Sequence, residues 1–245
     1  MPGLAEAGYL TNETVFSLTE LPQRIGVIGA GPIGCELAQA FARFGSQVFL
    51  IEAQHGLMPN DDRDAAAIVE QKMVRDGVKL LCCGKELKFS KIDTGKRLTV
   101  DSHGQYYDIT VDEILLGVGR TPNVQGLGLE TAGVQYDRNG VMVNERLQTT
   151  NPRIYAAGDI CSKYKFTHAA DAMAQIVIQN ALFPHPFGLA YASADSLVMP
   201  WCTYTEPEVA HVGMYEADAR AKGLEVETYT YHLAEVDRAI LDGED

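Results

Sequence analysis

A glycine-rich turn that directly follows a short apolar run constrains the fold of this chain more than any other feature. The apolar run is Arg24–Ile28, and the turn, Gly29–Gly34, reads GAGPIG. Apolar residues at helical spacing predict a helix from Pro32 to Phe44, and a second apolar run predicts a strand over Gln47–Ile51. These elements make one βαβ unit, so the chain is predicted to contain a parallel sheet.

The three glycines of this turn each meet a different steric requirement of a dinucleotide site. Gly29 permits the tight turn, Gly31 lets the backbone approach a pyrophosphate, and Gly34 allows close packing of helix and strand. The helix that follows offers unbonded N–H groups and the positive end of its dipole to phosphates. Pro32 suits its first turn, where an N–H would have no partner. The complete strand–turn–helix context therefore predicts a dinucleotide site.

The residue after the second strand predicts which dinucleotide is bound. Glu52 stands where a carboxylate accepts hydrogen bonds from the 2′-OH of an adenosine ribose. The same carboxylate would repel a 2′-phosphate, and the first arginine after it is Arg63. We therefore expect NAD rather than NADP, with a solvated strand end as the alternative interpretation of Glu52.

A second nucleotide-type signature lies in the later half of the chain. Thr149–Asp159 reads TTNPRIYAAGD, and it would deliver Gly158 and Asp159 to the end of a strand. An aspartate there can accept hydrogen bonds from the hydroxyls of a sugar-like chain. Thr167 and His168 begin a predicted helix whose N–H groups could face an electron-rich flavin carbonyl. A plain turn at Gly158 and Asp159 is the alternative interpretation.

The other elements are predicted from apolar runs and from the turn residues between them. Three acids, Asp61, Asp62 and Asp64, suit the positive end of a helix that stops at Gly77. Further strands are predicted at Val78–Leu81, Leu87–Ile92, Arg97–Val100, Tyr106–Val111, Glu113–Val118, Val141–Val143, Ile154–Ala157 and Glu225–His232. Further helices are predicted at Thr14–Leu18, His168–Leu182 and Tyr215–Ala221. The fold class is therefore α/β, with an antiparallel meander beside a Rossmann-like parallel sheet.

Composition disfavours several classes of function. The net charge of −13 argues against nucleic acid and anionic membranes, which both attract Lys and Arg. No apolar stretch approaches the roughly 20 residues of a membrane span, and no signal-peptide pattern is present, so we expect a cytoplasmic protein. The five cysteines show neither C-x-x-C nor C-x4-C spacing, and the acids find no complementary ligands. The sequence therefore predicts no metal site and no redox dithiol.

Four segments follow one another along the chain in a characteristic order. They are Gly29–Glu36 (GAGPIGCE), Leu115–Asn123 (LLGVGRTPN), Thr149–Asp159, and Thr205–Gly213 (TEPEVAHVG). Together they resemble the pyridine nucleotide–disulfide oxidoreductases, and the resemblance extends over nearly the whole chain. Within that family, Phe166–Ala170 and Trp201–Thr205 favour mercuric-reductase-like members. The resemblance implies FAD and NAD as cofactors and a homodimer for the full-length protein.

The resemblance also assigns roles to individual residues. The first segment would bind the nicotinamide dinucleotide, with Glu36 near the nicotinamide and flavin rings, and Gly119 and Arg120 would lie alongside the nicotinamide cofactor. Asp159 would hold the ribityl chain of the flavin, and the turn at Thr167 and His168 would meet its ring. The expected cofactor-binding residues are Gly29, Gly31, Pro32, Ile33, Gly34, Glu36, Glu52, Gly119, Arg120, Gly158, Asp159, Thr167 and His168.

Other parts of the family pattern are not found in this sequence. The family begins with an FAD domain that carries its own GxGxxG and a C-x4-C redox disulfide, and it ends with a His-Pro-x-x-E base. His185 and Pro186 lie in a linker instead, so no catalytic residue is assigned and a fragment is expected. The expected domains are a lead-in at 1–22, an NAD-binding domain at 23–138, the returning part of an FAD-binding domain at 139–190, and a truncated dimerisation domain at 191–245.

The expected function follows from these pieces. The full-length protein would be an enzyme that passes hydride from the nicotinamide to the flavin and electrons on to a disulfide or metal-ion acceptor. This chain alone is expected to bind NAD(H) weakly, to hold FAD poorly and to turn over nothing. The alternative is a stand-alone or split nucleotide-binding module without redox catalysis.

Overall fold

The computed structural model describes residues 1–243, and their contacts separate into two compact units. Unit 1 comprises Met1–Gly119, Cys202–Ala210 and the chain from Met214 onward, and unit 2 comprises Arg120–Trp201 and His211–Gly213. The strands are β1 (Arg24–Ile28), β2 (Gln47–Ile51), β3 (Val78–Leu81), β4 (Lys85–Ile92), β5 (Gly95–Ser102), β6 (Gln105–Val111), β7 (Glu113–Leu116), β8 (Tyr136–Asp137), β9 (Gly140–Val141), β10 (Pro200–Thr203) and β11 (Val209–Val212). The α-helices are α1 (Leu4–Ala7), α2 (Pro32–Arg43), α3 (Arg63–Arg75), α4 (Thr167–Leu182), α5 (Glu216–Ala221) and α6 (Asp237–Asp242).

A four-stranded parallel sheet with the strand order β3-β2-β1-β7 forms the centre of unit 1. Ile28 pairs with Ile51 on one side and with Leu116 on the other, so the strands end in register. Because parallel strands bring their carboxyl ends to the same edge, the loops after β1, β2, β3 and β7 all leave from that edge. The α/β fold with a parallel sheet is confirmed, and the glycine turn after β1 lies at the edge where such sheets bind ligands.

Different layers cover the two faces of this sheet. On one face, Val27 shares a buried apolar cluster with Val69 of α3 and with residues of α2. On the other face, Ile51 shares a cluster with Leu98 and other residues of the antiparallel sheet β4-β5-β6. Gly26 lies between the two sheets, and a Cβ there would come within 3.3 Å of Leu98 Cδ1. The meander predicted from the sequence is therefore confirmed as a second layer against the parallel sheet.

Helix α4 supplies part of the apolar core of unit 2. Met173 and Ile176 of this helix form a buried cluster with Leu147. Asn180 is buried at its later end, where its Nδ2 donates to the Ala192 carbonyl oxygen at 2.9 Å and its Oδ1 accepts from the Ala192 N–H at 2.9 Å. These two hydrogen bonds hold the chain after α4 against the helix.

Two predicted strands are not formed among the described residues. Ile154–Ala157 makes only one isolated bridge, between Tyr155 and Gln148, and the Ile154 carbonyl oxygen accepts from the Thr149 N–H at 2.9 Å within a local turn. Glu225–His232 forms no strand and joins no sheet. Apolar alternation predicts an extended backbone, but a strand also needs a hydrogen-bonded neighbour, which the described residues do not supply here. No helix among residues 1–243 is long and apolar enough to cross a membrane.

Candidate dinucleotide-binding site

The glycine turn after β1 has the steric pattern expected of a ligand-binding turn. Gly29 has φ of +99°, and a Cβ there would lie 2.7 Å from the Gly117 carbonyl oxygen. A Cβ on Gly34 would overlap the carbonyl oxygen of Gly29, so a side chain there would push helix α2 away from β1. An added Cβ on Gly31 would meet no described atom within 4 Å. Two glycines are therefore required by the fold, whereas Gly31 faces space that a ligand can fill.

Helix α2 begins inside this turn and directs its first N–H groups toward the same space. Gly31 is the N-cap and Pro32 the first helical residue. Pro32 has no N–H, so Ile33 and Gly34 carry the donors of the first turn, which have no acceptor within the helix. Together with the positive end of the helix dipole they make a site for an anion such as a pyrophosphate.

Glu52 is bound against the glycine turn rather than left in solvent. It follows β2 directly, its Oε2 accepts the Ala30 N–H at 2.8 Å, and its Oε1 accepts the Gln54 N–H at 2.9 Å. A carboxylate has about four acceptor positions, so both oxygens keep capacity for a further donor such as a ribose hydroxyl. A phosphate at the same place would meet a negative charge at hydrogen-bonding distance.

The two cysteines near the predicted sites are packing residues. Cys35 of α2 is fully buried and its S–H donates to the Ala30 carbonyl oxygen at 3.3 Å. Burial raises the pKa of Cys35 to about 12, and burial raises the pKa of Cys161 in unit 2 to about 11. Both therefore stay protonated at neutral pH and are poor nucleophiles.

Helix α2 also carries the residues that hold the loop between β10 and β11. The Tyr204 N–H donates to Glu36 Oε1 at 2.9 Å. One turn later, Gln39 accepts the Glu206 N–H and donates to the Glu206 carbonyl oxygen, both at 2.8 Å. The Glu36 carboxylate therefore binds the backbone of this loop. Its predicted role beside the cofactor rings stays a prediction.

Gly119 is the last residue of the first segment of unit 1 and lies just beyond β7. The Gly117 N–H donates to the Ile28 carbonyl oxygen at 2.7 Å, which continues the β1–β7 pairing toward the edge where the glycine turn begins. Gly119 has φ of +99°, a conformation that a residue with a side chain rarely adopts. The segment after β7 thus leaves the sheet at the same edge as the glycine turn.

Unit 2 brings its predicted residues together around the start of α4. Arg120 Nη1 lies 3.5 Å from Asp159 Oδ2, and both side chains are about half exposed, so this ion pair is weak. Gly158 has φ of +80°, and a Cβ there would lie 3.0 Å from Ala170 Cβ. Lys165 Nζ donates to the Asp159 carbonyl oxygen at 2.9 Å. The Asp159 carboxylate is therefore held near α4 and open to a ligand.

His168 is fixed by aromatic neighbours at the first turn of α4. Its ring stacks on Phe166 with centroids 5.3 Å apart, and Phe166 stacks on Trp201 at 6.4 Å. His168 Nε2 donates to the Pro200 carbonyl oxygen at 2.8 Å. One ring nitrogen is thus used in the fold, which leaves Nδ1 and the backbone N–H groups of Thr167 and His168 for a ligand.

The structure brings together one group of residues that the sequence did not single out. His55, Cys82, Cys83 and His103 place their ligand atoms within 4.8 Å of one another, although the sequence predicted no metal site. Adjacent cysteines on a strand would point to opposite faces, but Cys82 and Cys83 follow β3 and lie in a loop. The four residues come from three separate loops, so no spacing rule could have found them.

Two family models match the chain. The model described as pyridine nucleotide-disulphide oxidoreductase matches residues 1–175, and that of the family's dimerisation domain matches residues 199–245. Mercuric reductase of Staphylococcus aureus is 36% identical over 245 residues, which is 100% of this chain and 44% of the relative. Dihydrolipoyl dehydrogenase of Bacillus subtilis is 35% identical over 213 residues, which is 86% of this chain and 44% of the relative.

Solved structures show the same similarity. The HOCl-induced flavoprotein disulfide reductase RclA from Escherichia coli has a TM-score of 0.84 and 30% sequence identity, over 100% of this chain and 55% of that one. The chain therefore spans about half the length of the proteins it matches.

Proposed function

The chain belongs to the pyridine nucleotide-disulphide oxidoreductase family, and from that premise we propose that residues 24–52 bind NAD(H) within a flavin-dependent oxidoreductase. In that protein the nicotinamide would deliver hydride to FAD, and electrons would pass on to a disulfide or metal-ion acceptor. Relatives named as mercuric reductase and dihydrolipoyl dehydrogenase support an oxidoreductase. The acceptor itself is proposed only as one of these two classes.

A single observation carries the proposal. Glu52 is held by the Ala30 N–H at 2.8 Å, beside Gly31, where an added Cβ would meet no described atom within 4 Å. The first-turn N–H groups of α2 would bind the pyrophosphate and Glu52 would accept the ribose hydroxyls. This arrangement favours NAD(H), because a 2′-phosphate would meet the Glu52 carboxylate.

Unit 2 offers a flavin the same kinds of group, a carboxylate that accepts from hydroxyls and the first-turn N–H groups of a helix. When bound, FAD supplies the hydride-accepting ring. Asp159 would accept hydrogen bonds from the ribityl hydroxyls, and the backbone N–H groups of Thr167 and His168 would face a flavin carbonyl oxygen. The half-exposed Asp159 carboxylate and the open first turn of α4 support this assignment. The roles of Glu36, Gly119 and Arg120 beside the nicotinamide belong to the same proposal.

The remaining features of the proposal concern the whole protein. The match to the dimerisation domain over residues 199–245 supports a homodimer. The domain limits at 22, 138 and 190, and a cytoplasmic location, are proposed from the sequence. The alternative is a nucleotide-binding module without redox catalysis. A failure to retain and reduce FAD in the flavin experiment below would favour it.

Titration with NADH and NADPH tests the nicotinamide assignment. Quenching or enhancement of nicotinamide fluorescence should show tighter binding of NADH than NADPH, and Glu52→Arg should reverse that order. Glu235→Arg makes the same charge change at an exposed residue and should leave both affinities as they are. Equal affinities of the native and Glu52→Arg proteins for both nucleotides would mean that Glu52 does not touch the ribose.

Rapid mixing of the full-length protein with NADH tests the flavin step. Loss of the oxidised flavin absorbance on mixing is the expected result. A protein that binds NADH but neither retains nor reduces FAD would support the nucleotide-binding module instead.

A further inference from the structure

Two thiols and two imidazoles converge at one end of unit 1, at the carboxyl ends of β2 and β3. The ligand atoms of His55, Cys82, Cys83 and His103 all lie within 4.8 Å of one another. Cys82 Sγ lies 3.1 Å from His103 Nε2, and Cys83 Sγ lies 3.7 Å from His55 Nδ1. Both sulfurs are half-buried and both imidazoles are exposed, so the group opens to solvent on one side.

Local backbone conformation explains how neighbouring cysteines reach one point. Cys82 and Cys83 follow the last residue of β3, and Cys83 has φ of +55°, so the alternation of side chains along a strand does not apply to them. His103 also has a positive φ, +54°, and with Gly104 it forms the tight turn between β5 and β6. These left-handed residues place their side chains where an extended backbone would not.

Hydrogen bonds fix the three loops that carry the four side chains. The Cys83 N–H donates to the Gln54 carbonyl oxygen at 2.9 Å, which joins the loop after β3 to the loop of His55. Ser102 Oγ donates to the Cys82 carbonyl oxygen at 2.6 Å, which joins the β5–β6 turn to the same loop. The convergence is therefore set by the backbone and does not depend on flexible side chains alone.

This set of side chains is chemically a ligand set. Thiolate and imidazole are the ligands of structural zinc, which takes four of them in a tetrahedron. Zn–S bonds of about 2.3 Å and Zn–N bonds of about 2.0–2.1 Å imply ligand atoms roughly 3.3–3.8 Å apart. The distances of 3.1 Å and 3.7 Å lie close to that range, and the widest pair would have to close by about 1 Å.

We propose that His55, Cys82, Cys83 and His103 form a Cys2His2 site for Zn²⁺. Two thiolates would neutralise the charge of the ion, and the two imidazoles would complete its coordination. With all four positions taken by protein, the site has no place for a substrate and is structural. Zinc would tie the ends of β2 and β3 to the β5–β6 turn, and thus the parallel sheet to the meander.

Zinc binding would change the protonation of the two thiols. Both thiols must lose a proton to bind zinc, so binding releases protons to the buffer. The proposal does not rest on the nicotinamide or flavin assignments, because none of the four residues belongs to either site.

Cobalt spectroscopy tests the site directly. Co²⁺ is added to the metal-free, reduced protein, purified as the full chain, and the visible spectrum is followed. The expected result is saturation at one equivalent, with intense tetrahedral ligand-field bands and a thiolate-to-cobalt charge-transfer band. Zn²⁺ should abolish these bands by displacing cobalt. Saturation well below one equivalent, or a weak octahedral spectrum, would overturn the proposal.

Matched variants show which cysteines and histidines are used. Cys82→Ser and Cys83→Ser should each remove thiolate intensity and weaken cobalt binding at least tenfold, and His55→Asn and His103→Asn should weaken it similarly. Asparagine suits residue 103 because it tolerates positive φ. Cys202→Ser removes a half-buried cysteine outside the group and should change nothing.

Three results would contradict the assignment. Loss of the bands in Cys202→Ser would place the metal elsewhere. A disulfide between Cys82 and Cys83 that persists under reductant would exclude zinc from the native protein. Circular dichroism of each variant separates loss of a ligand from loss of the fold, and a variant that keeps both its fold and its full cobalt spectrum would also overturn the proposal.

Discussion

Substitution of two glycines by alanine should separate the stability of the turn from its ability to bind a dinucleotide. Gly34 and Gly31 lie three residues apart in the same turn and would receive the same methyl group. A Cβ on Gly34 would overlap the Gly29 carbonyl oxygen, whereas one on Gly31 would meet no described atom within 4 Å. The added methyl group therefore lies inside the packed turn in Gly34→Ala and in open space in Gly31→Ala.

The structure sets the magnitude expected for each variant. Gly34→Ala forces the backbone of α2 and β1 apart, and overpacking of this kind costs about 1–3 kcal/mol. For a chain of this size that lowers Tm by roughly 2–12 °C, at about 2–4 °C per kcal/mol. Gly31 has φ of −73°, which alanine adopts freely, so Gly31→Ala should change stability by less than about 1 kcal/mol.

The affinity for NADH should be lowered most in Gly31→Ala, the variant whose stability changes least. In Gly31→Ala the methyl group occupies the space through which the pyrophosphate would approach the backbone. We expect NADH affinity to fall at least tenfold, which corresponds to about 1.4 kcal/mol. Thermal unfolding and a fluorescence titration with NADH measure the two effects on the same samples. A Gly31→Ala protein that binds NADH as the native protein does would refute the proposed approach of the ligand, and a fully stable Gly34→Ala would refute the steric argument.

Two further predictions concern ionisable groups. Asp112 accepts hydrogen bonds from the Arg24 N–H at 2.7 Å and from the guanidinium at 2.5 Å, and the latter bond is the main reason that the pKa of Asp112 is lowered. A carboxyl whose pKa is lowered by folding stabilises the fold at pH values above its unfolded pKa of about 3.9. Asp112→Asn should therefore be less stable than the native protein near pH 6. The difference in free energy of unfolding should shrink as the pH falls below about 4. Urea unfolding at several pH values measures it, and a difference that does not change with pH would contradict the prediction. Cys35, with its pKa raised to about 12, should react with a thiol reagent at pH 8 only after unfolding, and mass spectrometry showing labelling as fast as at half-buried Cys202 would contradict its burial.

Local patterns predicted the parallel sheet well because its two central strands, β1 and β2, are almost entirely buried. Arg24–Ile28, Gln47–Ile51 and Val78–Leu81 are short segments dominated by apolar residues, and each forms the predicted strand. The glycine turn and Glu52 can be picked out from the sequence because their spacing is itself the requirement of the proposed site. In these segments the neighbours that complete the structure are close in the sequence.

The sequence failed where the structure depends on distant partners. Ile154–Ala157 has the composition of a strand, but among the described residues its backbone bonds only locally, to Leu147–Thr149. The group of His55, Cys82, Cys83 and His103 depends on left-handed residues and on contacts between three loops. The local pattern records neither the missing hydrogen-bonded partner of Ile154–Ala157 nor the meeting of the three loops.

A crystal structure of the protein in complex with NADH would test the central claim most directly. The account predicts the pyrophosphate at the N–H groups of Ile33 and Gly34, close to Gly31, with the adenosine ribose hydroxyls bound to Glu52. Dinucleotide bound away from the turn after β1, or a turn that stays empty at saturating NADH, would contradict it.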